Sequence, residues 1–389
     1  MNEKFDINLV ADDINGWVPG AVDACARVVD KRGLEIERWG RLPEDVAKSL
    51  RDSGLPGLLA PSEFGGAGGD WLSGFAAIEG VSRADGSTGW SLMIGMVGNM
   101  LTGYVERGTA LEIFSGAQSL YLAGVFAPKG VARAVGQGDT FEISGTWPFA
   151  TGIHLSDWCC VGAMSRDANG PEVRQFVLPT SAITINPNWD VTGLSGTGSD
   201  DVELKAMHVK RNLSFTFDDR PWPDEWLWRV PFFTVASSLM AAAVLGMASS
   251  AVDIVLTRGC LRESRLGFGR SGSFESEIAS AYATVRSARA FVRECMAEII
   301  ACVKRGDVPA ERQRATLWLA SVQAVQNCGK VLDLLITSEG ASAIRHSAPL
   351  QQKWRDARAA GQHVLVSRQR LEAIGRVMLG APPEAKPFL

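Results

Sequence analysis

Between about Ser119 and Val209 the texture of this chain changes twice, and that double change limits the folds open to it. On either side, apolar residues recur at helical spacing; between them, short β-rich runs alternate with turn residues. The runs are Leu120–Phe126, Thr140–Ser144, Trp158–Met164, Val173–Leu178, Ile183–Ile185 and Val202–Val209, with Gly136–Asp139 and Asp167–Gly170 as hairpin turns. The order predicts an α+β, mainly α protein. It has an N-terminal helical domain (1–118), a central antiparallel, barrel-like β domain (119–222) and a C-terminal four-helix bundle (223–389).

Helix signals sharpen the outer regions. Pro43 followed by Glu44 and Asp45 suits a helix start, because Pro tolerates the first turn and acids favour its positive end. Helical patterns cover Trp71 to about Arg83 and Gly89–Tyr104, with Asp85-Gly-Ser-Thr88 as the break and cap between them. The glycine-rich run Pro56–Gly69 is a loop. Long helices are expected from Ser273 to about Lys304, from Pro309 to near Gly340, and from Pro349 to Gly380.

Bulk properties exclude several function classes. The 389 residues carry a formal net charge of −4 and no basic cluster interleaved with aromatics, which argues against a nucleic-acid binder. The seven cysteines form no CxxC pair and have no histidine at zinc spacing, so a metal site is not expected. Reduced thiols and an N-terminus without a signal pattern suit a cytoplasmic protein. Pro231–Val252 has no charged residue and is long enough to cross a bilayer, yet its Ala, Ser and Gly content suits a helix buried in a bundle.

Two distant segments carry chemistry. Gly145-Thr-Trp-Pro-Phe-Ala-Thr-Gly152 sets two aromatics and a hydroxyl on a tight strand-loop that can lie along a planar heterocycle. Pro349-Leu-Gln-Gln-Lys-Trp-Arg-Asp-Ala-Arg-Ala-Ala-Gly-Gln-His363 places a histidine beyond an Arg-Asp pair. Together with Pro61–Gly66, Arg265-Leu-Gly-Phe-Gly269 and Arg355-Asp-Ala357, they resemble the acyl-CoA dehydrogenase fold over nearly the whole chain. Within that superfamily the chain departs from the dehydrogenases. The carboxylate base, eight residues past the Asp of the Arg-Asp-Ala motif, is replaced by Val364, and Glu225 lies too early to substitute. Gly193-Leu-Ser-Gly-Thr-Gly-Ser-Asp-Asp-Val202 and the His363 segment instead resemble the two-component flavin-dependent monooxygenases.

That resemblance implies a reduced flavin, FAD or FMN, held by Trp147, Phe149, Ala150, Thr151, Gly152, Arg265, Phe268 and Gly340. It places the Thr151 hydroxyl near flavin N5 and Arg265 on cofactor phosphate. His363 and Thr151 are the catalytic candidates, His363 assisting oxygen activation or substrate deprotonation. His154 and Trp90 are the candidates for contact with a small organic substrate of aromatic or natural-product type. A separate flavin reductase is implied, since no dinucleotide fingerprint occurs, and so is a homotetramer built as a dimer of dimers.

Plainer readings stand beside these. His363 could be a bundle histidine bonded to a neighbour, Thr151 a strand-end residue, and Arg265 a solvated member of a patch with Arg262 and Arg270. His208 reads as structural and His346 as solvated. Trp222, Trp226 and Trp228 could form a substrate lid or an interdomain hinge. A dehydrogenase or oxidase lacking the usual base, and a catalytically silent binding relative, are the alternative functions.

Overall fold

A computed structural model describes residues 14–115, 120–167, 170–266 and 272–381. Among the described residues six α-helices precede the sheet: α1 (Val18–Asp30), α2 (Gly33–Trp39), α3 (Glu44–Asp52), α4 (Trp71–Ala84), α5 (Gly86–Met100) and α6 (Arg107–Phe114). As the charge pattern predicts, α3 starts behind Pro43 with Glu44 and Asp45 in its first turn. Asp85 caps α5 by accepting the Thr88 N–H at 2.7 Å. Helix α5 is buried on nearly every side, and its glycines are spacers. A Cβ at Gly98 would stand 1.7 Å from the Leu122 carbonyl oxygen, so only glycine lets the helix meet the sheet there.

The centre is one seven-stranded sheet in the order β5-β6-β2-β1-β3-β4-β7. Its strands are β1 (Leu122–Val135), β2 (Thr140–Trp147), β3 (Trp158–Asp167), β4 (Gly170–Pro179), β5 (Thr184–Asn186), β6 (Asp201–Lys210) and β7 (Ser214–Phe215). The Gly136–Asp139 turn closes the β1–β2 hairpin, with Val135 opposite Thr140. One pairing departs from the antiparallel expectation: β1 and β3 run parallel. Strand β1 also runs past Phe126. Its register against β3 slips on both sides of Pro128, which cannot donate to the ladder and so sits at an irregularity.

Among the described residues five α-helices follow: α7 (Phe232–Leu266), α8 (Gly272–Lys304), α9 (Glu311–Ser338), α10 (Pro349–Ala360) and α11 (Arg370–Met378). The uncharged run lies in α7, the core helix of the bundle, against α4, α8, α9 and α10. Most of its apolar window is buried. Trp222 and Trp228 donate their indole N–H groups to the Thr102 and Met100 carbonyls at the end of α5, so this cluster clamps the linker to the N-terminal helices.

The single last helix expected over Pro349–Gly380 is in fact two. After Ala360 the chain leaves helical geometry until Arg370, and His363 takes part in the break. Its Nδ1 accepts the Leu365 N–H at 3.2 Å, and its carbonyl accepts the Val366 N–H at 3.0 Å. A side chain that captures a backbone N–H offers the chain an alternative to the next helical turn.

Candidate functional site

The sheet end of the site begins where β2 stops. Alternation along a strand would put Trp147 and Phe149 on one face, but Phe149 takes a left-handed backbone, φ +66°, that turns its ring outward. That ring is 66% exposed and meets Trp189 edge-on at 6.0 Å. A bulky residue at positive φ costs free energy and persists only where its surroundings fix it. Trp147, in contrast, is fully buried in the sheet core and donates its indole N–H to the Gly162 carbonyl at 2.6 Å. The Ala150 methyl is equally buried, and its N–H is taken by the Asp200 carbonyl. The expectation that Trp147 and Ala150 line a cofactor is therefore corrected: neither has surface left to meet one. Gly152, at φ +79°, holds the turn above the Tyr121 ring, where a Cβ would come within 2.8 Å.

Thr151 is buried, and its hydroxyl lies 2.7 Å from that of Ser199. Ser199 is in turn 2.7 Å from the Thr197 hydroxyl, which donates to the Leu194 carbonyl at 2.8 Å. Beside this chain His154 Nε2 pairs with Asp200 Oδ2 at 2.7 Å. The other Asp200 oxygen accepts the N–H groups of Asn188 and Trp189 at 2.7 and 2.8 Å. Burial opposes ionisation of Asp200, but the His154 and backbone hydrogen bonds outweigh it and hold the carboxyl below the usual range. His154 is thus committed to a partner inside the chain.

The bundle end is built on α10. Arg355 donates to the Thr192 carbonyl at 2.7 Å and pairs with Glu37 of α2 at 2.6 Å. Asp356 accepts the Leu194 N–H at 2.6 Å through one oxygen; its second oxygen is buried without a hydrogen-bond partner. Burial, then repulsion from Asp85, raises this carboxyl to about 7. Lys353 is also buried and donates to the Arg83 carbonyl at 2.7 Å. Within the helix break, His363 is partly buried and meets Trp90 of α5 edge-on at 5.9 Å. Burial, with a smaller push from Arg370, lowers His363 to about 4.

The structure thus brings Trp90 to His363 and joins the two ends through the loop 192–200. A Cβ at Gly193 would stand 2.2 Å from the Arg355 carbonyl oxygen, so α10 lies directly against that loop. The Arg265 side chain and all of Phe268 lie outside the described residues. Gly340 opens a 3-10 turn after α9, next to Glu339, which pairs with Arg258 at 2.7 Å. Sequence reasoning passed over Thr197, Ser199, Asp200 and Asp356 as site residues; the Gly193–Val202 motif was the signal that held three of them. At the position of the dehydrogenases' carboxylate base this chain has Val364. Val364 is half exposed, and Glu225 accepts the Ser62 hydroxyl at 2.8 Å.

His208 is exposed near Glu142, and His346 is 87% exposed on the rim of a cleft of about 730 Å³. Trp39, Glu37, Ser195 and Trp189 also line that cleft. It includes neither Thr151 nor His363 and adjoins the site through Trp189, Ser195 of the joining loop and Glu37, the partner of Arg355. Among the described residues no group of three or more His, Cys, Asp or Glu could hold a metal ion.

Comparison with known proteins agrees with this geometry. The acyl-CoA dehydrogenase N-terminal domain matches residues 20–109 and the acyl-CoA dehydrogenase C-terminal domain matches residues 238–368. The chain is 28% identical to indole-3-acetate monooxygenase of Pseudomonas putida, over 90% of each chain. It is 26% identical to the oxygenase component of the FADH(2)-dependent resorcinol hydroxylase of a Rhizobium strain, over 94% of this chain and 95% of that one. The crystal structure of the HsaA monooxygenase from M. tuberculosis superposes with a TM-score of 0.87 at 26% identity, covering 94% and 98% of the two chains.

Proposed function

We propose that this chain, which belongs to the acyl-CoA dehydrogenase superfamily, is the oxygenase component of a flavin-dependent monooxygenase acting on a small organic substrate of aromatic or natural-product type. The observation that carries this reading is the bare Phe149 ring beside the buried Thr151 hydroxyl: an apolar plane and a polar contact that fit a planar heterocycle. Phe149, Thr151 and the Arg265 segment would hold the flavin, FAD or FMN. When bound in its reduced form, that group supplies the electrons with which molecular oxygen attacks an organic substrate.

The chain's own residues do the rest. His363 is neutral at physiological pH, and its Nδ1 is occupied as an acceptor, so its one ring proton sits on Nε2. It therefore offers a hydrogen bond and does not accept one at Nε2. This favours assistance to oxygen activation over substrate deprotonation. Trp90 packs edge-on against the imidazole from the α5 side. A separate reductase supplies the reduced flavin, a reading supported by the naming of its relatives as oxygenase components. In this proposal the protein works in the cytoplasm as a homotetramer.

The test is to incubate the chain with an exogenous flavin reductase, NADH, flavin and a panel of phenols and indoles under oxygen. A substrate that gains one oxygen atom, about 16 mass units, only when reduced flavin and oxygen are both supplied supports the proposal. A product that has instead lost two hydrogens would move the assignment to a dehydrogenase.

A further inference from the structure

The hydroxyls of Thr151, Ser199 and Thr197 and the carbonyl of Leu194 form three consecutive oxygen–oxygen contacts of 2.7, 2.7 and 2.8 Å. All three side chains are buried, at 7%, 1% and 5% exposure. Each hydroxyl has one proton to give, and a carbonyl has none. Three contacts at hydrogen-bond distance therefore share three protons, and an oxygen pair this close without a proton between them is repulsive. Only one assignment places a proton in every contact. Thr197 donates to Leu194, Ser199 donates to Thr197, and Thr151 donates to Ser199. The anchor of the series is itself held: Leu194 sits at φ +57°, and Asp356 accepts its N–H at 2.6 Å from the bundle side.

We infer that this relay makes the Thr151 hydroxyl an obligate hydrogen-bond acceptor, so that Ser199 and Thr197 act as positioning residues that select the reduced form of the flavin over the oxidised form. The inference rests on the flavin reading above. Ring nitrogen N5, which the family resemblance sets against this hydroxyl, carries a proton only in the reduced ring; in the oxidised ring it presents a lone pair. Thr151 has its proton committed to Ser199, so it can receive the reduced ring's N–H and meets the oxidised ring with lone pair against lone pair. A buried acceptor facing an acceptor loses a hydrogen bond and leaves both groups unsatisfied. In a two-component system this lets the chain take up fresh reduced flavin and release the spent cofactor.

The experiment is a pair of titrations of the intact chain, with FMN and with FAD. One is anaerobic with photoreduced flavin and one aerobic with oxidised flavin, and flavin absorbance and fluorescence give Kd for each form. The wild type is expected to bind the reduced form about tenfold or more tightly, the ratio worth one neutral hydrogen bond. Thr197→Val keeps the shape but removes the proton that anchors the relay. Ser199 is then free to donate to Thr151, and the ratio should fall roughly tenfold, chiefly through tighter binding of oxidised flavin. Ser199→Ala should act in the same direction, while Thr197→Ser, which keeps the hydroxyl, should retain the wild-type ratio. A wild type without redox preference overturns the inference with no variant needed. So does an unchanged ratio in Thr197→Val and Ser199→Ala. Binding of neither redox form would instead overturn the flavin reading itself, and the relay with it.

Discussion

The sheet end and the bundle end of the site meet at one loop but are made of different chemistry. Around Thr151 the working groups are hydroxyls, each with a partner, in an order fixed by the Leu194 carbonyl. Around α10 and the break after it the working groups are titratable, Asp356 buried and His363 partly buried. Asp356 is pushed up to about 7 with one oxygen unpartnered, and His363 is pushed down to about 4. Hydroxyls do not titrate near neutrality, so the Thr151–Ser199–Thr197 series can hold a ligand in the same way at any working pH. In the proposed function the bundle end is where protons are held and moved, so that recognition falls to one end and proton chemistry to the other.

The largest expected effect comes from forcing the two ends apart. Gly193→Ala would drive a methyl group into the Arg355 backbone, 2.2 Å from its carbonyl oxygen. Because neither backbone can give way cheaply, it should destabilise the chain by about 3 kcal/mol. Thermal unfolding gives that number, and a Tm unchanged from wild type would show that the ends are not tied there. Next comes His363→Ala. Loss of its proton should reduce turnover on the order of 100-fold while leaving flavin affinity, a property of the sheet end, nearly intact. A parallel loss of both would break the division of labour.

The smaller effects concern pH and have opposite signs. His363 has a folded pKa below its unfolded value, so it contributes stability that is present above about 6.5 and lost as pH falls through about 4. Asp356 has a folded pKa above its unfolded value. Its contribution is fully present below about 3.8 and is lost as pH rises through about 7. In the wild type the two trends partly cancel between pH 4 and 7. Asp356→Asn should therefore unmask a Tm that rises with pH across that window, and His363→Ala one that falls. Identical Tm profiles for the two variants would contradict the assignment of both groups.

Much of the fold was legible in the sequence because periodicity reports burial directly. The helix–sheet–helix order, the α3 start at Pro43 and the Asp85 cap follow from local residue chemistry. The parallel pairing of β1 with β3 does not, since strand direction is set by connections and not by any one strand's pattern. The site was legible where a motif spans it. Phe149, Thr151 and His363 are the candidates such motifs supply, whereas Trp147 lies buried in the sheet core. Alternation predicts that Trp147 and Phe149 share a face, and only the positive φ at Phe149 separates them. The break after Ala360 carries no proline; it falls at Gly361, the C-cap of α10, and is continued by an imidazole taking a backbone N–H. The Thr151–Ser199 contact joins residues 48 positions apart, and hydroxyls in a glycine-rich loop read locally as turn formers.

The central claim is that this chain binds reduced flavin and governs its reaction with oxygen. The most direct test mixes the anaerobic complex of the chain and reduced flavin with oxygenated buffer in a stopped-flow spectrometer. The prediction is a spectrally distinct transient before oxidised flavin appears, and its lifetime should shorten in His363→Ala. A single-phase return to oxidised flavin at the rate of the free cofactor, the same with and without the protein, would contradict it.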